Sequence, residues 1–298
     1  MKNISFVILN YKTYQEAIAC ANSILTTQTF PNIQIIIVDN GSPNDSVKQL
    51  EQQFVCEERV HVVVSDENLG FAKGNNLGIK YAREHFKPDF IVVANSDIIF
   101  EQPDYCEKLI EIYNRKPYAI LGGDIIDASR KQHFNPVAQD RMYTVSYMYK
   151  QALVSELKSW IYRLIRVFHL KKLVEDKVEQ TTREVKGKDV TADSCIKEEL
   201  ENVLLHGCCI VFSKDFFCEF EGFWSETFLY AEEEIIYYLA MKKKMRIVYT
   251  PEIVCMHKEA TTTKQLYQDY CDGKIFYYDN VAKSYWKFYK LMRIYEDE

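Results

Sequence analysis

The chain opens on ISFVILN (Ile4–Asn10), an unbroken apolar run rich in β-branched residues, which predicts a strand buried on both faces. Runs of the same kind return at IQIIIVDN (Ile33–Asn40), VHVVVS (Val60–Ser65) and DFIVVANSD (Asp89–Asp97). Between them the period changes to that of helices, from about Tyr14 to Thr27 and again after Asn68. GSPND, after the second run, predicts a helix start with Ser42 as N-cap and Pro43 at the first helical position. A helix near Pro103–Asn114 and a strand at Tyr118–Leu121 complete the series. Continuous apolar strands alternating with helices predict an α/β fold with a mostly parallel central sheet flanked by helices. Ligands of such sheets bind beyond the carboxyl ends of the strands. Asn10, Asp39, Asn68, Asn95 and Asp97 all fall at those ends.

From about Arg141 to Asn202 the alternation stops. SELKSWIYRLIRVFHLKKLVEDK (Ser155–Lys177) is basic and aromatic, and its helical period places Trp160, Leu164, Val167 and Phe168 on one face. Two readings are open: a helix packed on the core, or a surface helix lying on an anionic membrane. TTREVKGKDVTADS (Thr181–Ser194) reads as a polar loop. Order resumes with LLHGCCIVFS as a strand, FLYAEEEIIYYLAMKKK as a helix and MRIVYTP as a strand stopped by Pro251. An aromatic, basic helix, YYDNVAKSYWKFYKLMRIY, follows. Without repeats or a low-complexity linker, the simplest organisation is one domain over 1–298. Its parts are a ligand-binding half (1–122), a variable, partly helical insertion (141–202), a second half of the site (203–260) and a helical tail (261–298).

Composition narrows the function. A net charge of −6 over 298 residues argues against a nucleic-acid binder. Nine cysteines without CxxC pairs indicate reduced thiols and a cytoplasmic setting. The first apolar run is too short for a signal-peptide core, and no run approaches the ~18 residues of a membrane span. The turn after the first strand, NYKTY, lacks the glycine fingerprint of a dinucleotide fold, and no P-loop is present. What remains is a set of carboxylates and amides at strand ends, a pattern suited to a hard divalent cation and a diphosphate.

ENLGFAKGNNLGI, beginning at Glu67, places Gly70, Gly74 and Gly78 four apart in a chain with only ten glycines. Each interior glycine costs a helix roughly 1 kcal/mol relative to alanine, so something approaches this backbone closely, either a ligand or a packed neighbour.

VILNY, VDNGS, ENLGFAKGNNLGI, ANSD, GCCIVFSKDFF, EGFWSETFLYAEEE and YTPEIVCMHK, in this order, resemble the family 2 glycosyltransferases of the GT-A fold, most closely the rhamnosyltransferase-like members that build bacterial surface polysaccharides. The likeness covers Ile4–Phe100 and Leu204–His257 and hardly touches Arg141–Asn202. It implies an inverting transfer from a nucleotide-sugar donor, dTDP-rhamnose or a UDP-hexose, to a lipid-linked or oligosaccharide acceptor. It also implies a divalent metal, Mn2+ or Mg2+, and work at the inner face of the cell membrane, with a homodimer as one arrangement. Asn10, Asp39, Asn68, Gly70, Lys73, Asn95, Ser96, Asp97 and Gly207 would bind the donor. Gly74 and Gly78 would serve packing. Asn95-Ser96-Asp97 stands at the family's DxD position with an amide for the first acid, so Asp97 would carry the metal, joined by His257. Glu233 would be the catalytic base, with Glu232 second, and Trp224 and Tyr230 would stack on acceptor sugars. Ile235 stands where the family usually has another acid. Two rival readings follow from these departures and from the basic helix: a nucleotide-sugar-binding protein without turnover, and a scaffold of a polysaccharide-assembly complex.

Overall fold

The computed structural model describes residues 2–129, 132–168, 196–258 and 269–296. Two compact units emerge, Met1–Met142 with Ile196–Ala260, and Tyr143–Cys195 with Thr261–Glu298.

In the first unit β1 (Ile4–Asn10), β2 (Ile33–Asn40), β3 (Val60–Ser65) and β4 (Phe90–Asn95) pair in parallel in the order β3-β2-β1-β4. Alternate side chains point to opposite faces, and both faces are covered. Phe6 and Ile8 join Ala17, Cys20 and Ile24 of α1 (Tyr14–Thr27) and Leu50 of α2 (Ser46–Gln53) in one cluster. On the other face α3 (Gly70–Phe86) lies close enough that a Cβ on Gly78 would come within 2.5 Å of Val7 and 2.7 Å of Val38. Gly74 meets Leu9 and Asn40 in the same way. Those two glycines are therefore packing residues, as the sequence implied.

Beyond β4 come the short β5 (Ile98–Ile99), α4 (Tyr105–Arg115) and β6 (Ile120–Asp127). β7 (Ala138–Gln139) pairs with β9 (Val203–Leu204) in a separate ribbon, and β8 (Leu200–Glu201) borders β11 (Ile247–His257). β10 (Cys209–Ser213) inserts antiparallel between β4 and β6. β11 runs parallel to β6 and closes antiparallel onto β5, pairing His257 with Ile98. These two reversals position the site: the turn before β10 is brought against the end of β4, and the end of β11 against the residues that follow it.

Several expectations need correction. Ser42 does not cap a helix. Its hydroxyl accepts the Lys12 N–H (2.8 Å), its own N–H donates to Asp39 Oδ1 (2.9 Å), and α2 begins only at Ser46. Pro251 does not stop its strand. It sits where the β11–β6 register shifts between Tyr249 and Val254, a bulge in which its missing N–H removes no ladder bond. LLHGCCIVFS is not one strand, because the chain turns at Gly207–Cys208 between β9 and β10. β6 continues to Asp127, well past Leu121.

The second unit is an antiparallel pair of long helices, α5 (Val145–Val167) and α7 (Tyr270–Glu296); α6 (Glu232–Lys242) belongs to the first unit. Thr144 caps α5 by accepting the Tyr147 N–H at 3.1 Å, so this helix starts ahead of Ser155. Arg163 and Ser159 bond Asp279, and Arg166 reaches Asp272 at 2.6 Å. Trp160, Leu164, Val167 and Phe168 do not pack against a core; all are exposed. The remainder of Ser155–Lys177 and the polar stretch Thr181–Ser194 lie outside the described residues. No described helix is long and apolar enough to cross a membrane.

Candidate active site

Asp97 follows β4 and is buried. Its Oδ2 lies 3.2 Å from His257 Nε2, and its carbonyl accepts the Lys258 N–H at 3.0 Å, so the end of β11 is tied to it twice. His257 Nδ1 is buried with no hydrogen-bond partner. A second imidazole, His206, stands with its centroid 6.2 Å from that of His257, and Phe134 packs on both rings. His206 Nδ1 accepts the Cys208 N–H at 3.2 Å, which leaves its proton on Nε2. Burial, aided by the neighbouring His257, holds His206 below the usual histidine range and keeps the ring neutral.

The turn His206-Gly207-Cys208 joins this pair to the acids of α6. The Cys208 carbonyl accepts the Asn95 N–H at 2.8 Å. A Cβ on Gly207 would lie 3.4 Å from Glu233 Oε2. The buried Cys208 thiol is raised by burial first, then by Cys209, Asp97 and Glu233, so both carboxylates act on one sulfur. Asp97, His257, Gly207 and Glu233 therefore converge.

Burial pushes the Glu233 carboxyl up to about 7. The backbone N–H at the start of α6 opposes this shift, and Glu234 adds to it. Glu232 is likewise raised to about 7, by burial and then by Glu233, and its Oε1 has no hydrogen-bond partner. The helix N-terminus favours these carboxylates through its dipole. Tyr230 and Ala231, immediately before them, hold φ of 71° and 70°. Two successive left-handed non-glycine residues are costly and tend to occur at functional sites.

A second network organises the ends of β1 and β2. Asn10 Nδ2 donates to Asp39 Oδ2 at 2.7 Å, with both residues fully buried. The Thr13 hydroxyl bonds Asn10 Oδ1 (3.4 Å) and meets Ser96 Oγ (3.2 Å). Asp39 is thus linked through Asn10, Thr13 and Ser96 to the residue beside Asp97. The expected donor-binding residues of three strands share one neighbourhood.

Gly70 answers the question its sequence raised. It sits at φ +81°, and a Cβ there would come 2.1 Å from the Phe228 carbonyl, which also accepts the Phe71 N–H at 2.7 Å. The close neighbour is the segment leading to α6, not open space awaiting a ligand. Asn68 Oδ1 accepts the Gly70 N–H (3.0 Å) and the Asn40 amide (3.0 Å). Asn40 was missed by sequence reasoning. Its amide clamps the loop by donating also to the Gly70 carbonyl (3.1 Å) and accepting the Leu69 N–H (3.0 Å). Its place directly after Asp39 in VDN was the available signal.

Trp224 lines a different cleft, of about 880 Å³, with Asn76, Lys80 and Arg83 of α3 and Glu219 and Glu221. None of the Asp97–Glu233 cluster belongs to that lining. Asn76 anchors the segment by exchanging two hydrogen bonds with the Phe223 backbone (2.7 and 2.8 Å). Tyr230 is half-buried beside Glu232, and Lys73 is exposed. Also missed were Asn135, which accepts the His206 N–H at 2.7 Å, and the buried Asp124, paired to His133 Nδ1 at 2.9 Å. Neither carried a local signal.

A parallel sheet ending in this carboxylate–amide cluster, with one inserted antiparallel strand, defines the GT-A class of glycosyltransferase folds. The chain belongs to glycosyl transferase family 2, whose family model matches residues 5–174. That span contains Asp39 and Asp97 and ends before His206, Glu233 and His257. Glycosyltransferase GlyG of Streptococcus pneumoniae is 33% identical over 99 residues, covering 33% of this chain and 31% of that protein. Agl10 of Haloferax volcanii, a low-salt glycan biosynthesis hexosyltransferase, is 25% identical over 127 residues (43% and 38%). The dTDP-rhamnosyl transferase RfbF of Shigella flexneri is 27% identical over 135 residues (45% and 42%). The aligned parts thus span under half the length of these relatives. Among solved structures, residues 1–349 of TarS from S. aureus superpose with a TM-score of 0.52 at 13% identity, covering 87% of this chain and 60% of that one.

Proposed function

We propose that this chain transfers a sugar from a nucleoside-diphosphate donor to an acceptor hydroxyl with inversion at the anomeric carbon. The observation that carries the reading is the Glu233 carboxyl, raised to about 7 and facing Gly207, on the same turn that brings Cys208 to Asp97. A base poised near neutral pH is what deprotonation of an attacking hydroxyl requires. The attacking oxygen displaces the nucleoside diphosphate directly, and Glu233 takes the hydroxyl proton. Burial, with the adjacent negative charge of Glu234, keeps that carboxyl from ionising early.

Asp39, Asn10 and Asn68 form the nucleotide end of the donor site, with Asp39 accepting from base or ribose. Asn95, Ser96 and Gly207 border the diphosphate and sugar, and Lys73 offers a cation to the phosphates. Asp97 and His257 fit a divalent cation, Mn2+ or Mg2+. Among the described residues no group of three or more His, Cys, Asp or Glu could hold a metal ion, but such an ion commonly completes its shell with substrate phosphate oxygens and water, and Asp97 Oδ2 and His257 Nε2, 3.2 Å apart, are the two atoms that would hold it. Bound there, the cation would neutralise charge on the departing diphosphate.

The similarity to RfbF supports dTDP-rhamnose as donor, with UDP-hexoses next; the acceptor in this reading is a growing lipid-linked cell-surface polysaccharide. A thermal-shift panel of dTDP-, UDP- and GDP-sugars with and without manganese tests the donor, because a ligand that binds only the folded state raises its stability. A donor that stabilises the protein, and whose sugar appears on an oligosaccharide acceptor with inverted configuration, is the expected result. Stabilisation without transfer or hydrolysis would make the chain a donor-binding protein.

A further inference from the structure

The pattern of α5 is inverted. The side it turns to α7 carries the small or polar buried residues Ala152, Ser155 and Ser159. Its opposite side carries Leu153, Leu157, Trp160, Ile161, Leu164 and Phe168, spaced as one helical stripe, all exposed, with Trp160 at 60% and Phe168 at 65%. Contiguous exposed apolar patches above a few hundred Å² are uncommon on soluble monomers and mark interaction surfaces. From Leu153 to Phe168 the stripe runs roughly 22 Å, at about 1.5 Å per residue step.

Charge indicates what covers it. The whole chain is acidic at −6, yet this unit is lined with cations. Lys150 borders the stripe, Lys158 reaches over the Tyr278 ring of α7 at 5.3 Å, and α7 exposes Lys283 and Lys290. The acids Asp272 and Asp279 are engaged by Arg166 and Arg163. A Trp/Phe/Leu face flanked by lysines is the composition of a helix that lies in a bilayer interface. A second copy of this chain would present the same cations to these cations.

We infer that the outward face of α5 seats on an anionic lipid surface, dipping Leu157, Trp160 and Leu164 into the acyl boundary while the lysines meet lipid phosphates. This surface does not depend on the sugar-transfer reading and stands or falls separately from it.

The test uses the full chain with vesicles of phosphatidylcholine alone or mixed with phosphatidylglycerol. Co-sedimentation with the anionic vesicles is expected, released by high salt as the Debye length shrinks. The triple variant Leu157→Ser, Trp160→Ser, Leu164→Ser should lower the partition coefficient roughly 100-fold, and Lys150→Glu roughly 5-fold. All of these positions are exposed, and unchanged far-UV circular dichroism will verify folding. Should the triple variant fail to fold, brominated acyl chains should still quench tryptophan in the parent protein and not in Trp160→Phe. The inference is overturned by absence of sedimentation at low salt, by equal binding to neutral vesicles, or by quenching that persists in Trp160→Phe. A dimer that the triple variant dissolves would assign the face to a second copy instead.

Discussion

Asp97 Oδ2 stands 3.2 Å from His257 Nε2, a contact between residues 160 positions apart in the chain. It exists because β11 folds back antiparallel onto β5 and pairs His257 with Ile98, next to Asp97. Asp97→Ala should abolish the manganese-dependent part of donor binding, raising the dissociation constant in manganese by roughly 100-fold, about 2.7 kcal/mol. Calorimetry with and without manganese measures this. Equal affinity of parent and variant in both conditions refutes the assignment.

Glu233→Gln should leave donor affinity unchanged and lower kcat by roughly 10²–10⁴-fold, the usual worth of a positioned base. In the parent protein, kcat/KM should rise as pH passes through about 7 and level off above it, since the base works only when deprotonated. The variant should lose that limb. Full activity in Glu233→Gln moves the base to Glu232.

The same acids make stability depend on pH. Glu232 is raised in the folded chain from the ordinary glutamate value of 4.5 to about 7. Between those values the folded state holds more protons than the unfolded one, so stability falls as pH rises through this window and the full cost is present above it. Glu232→Gln should therefore stabilise the protein at pH 8 by roughly 1–3 kcal/mol and have little effect at pH 4. Denaturant melts at the two pH values compare them; equal effects at both would mean the burial cost is absent.

Gly70→Ala and Gly207→Ala should separate structure from chemistry. At Gly70 a methyl group meets the Phe228 carbonyl at 2.1 Å on a backbone at φ +81°, a clash plus a strained conformation costing about 3 kcal/mol or more. At Gly207 the nearest atom is Glu233 Oε2 at 3.4 Å, an ordinary contact. That variant should melt within about 0.5 kcal/mol of the parent while losing transfer activity. A stable Gly70→Ala, or a fully active Gly207→Ala, contradicts the respective role.

Asn40→Ala removes a buried amide bonded to Asn68, Leu69 and Gly70. Leaving those partners unsatisfied should cost about 2–3 kcal/mol, and weaker donor binding should accompany the loss of the Asn68 loop geometry. A variant as stable as the parent would remove the clamp.

Local chemistry was enough to write down β1, β2 and β3 residue by residue, the helices between them and the polar strand ends. Ile4–Asn10 and Ile33–Asn40 are apolar for most of their length because each strand is buried on both faces, and burial on both faces leaves a signal in the run itself. Gly74 and Gly78 could be assigned to packing because a helix pressed on a sheet has no room for Cβ atoms at the contact.

Tertiary structure decided the rest, since the deciding partners lie far away in the chain. Ser42 had the chemistry of a helix cap, but Lys12 and Asp39 took its hydrogen bonds. Pro251 had the chemistry of a strand stop, but a bulge against β6 absorbed it. Trp224 looked like a companion of Tyr230 and lines another cleft. Residue types announced acids and amides at strand ends; the antiparallel insertion of β10 and the return of β11 onto β5 brought Asp97, His257, Gly207 and Glu233 together. Period and polarity report how each residue meets water, and only the crossing of distant strands determines which residues meet one another.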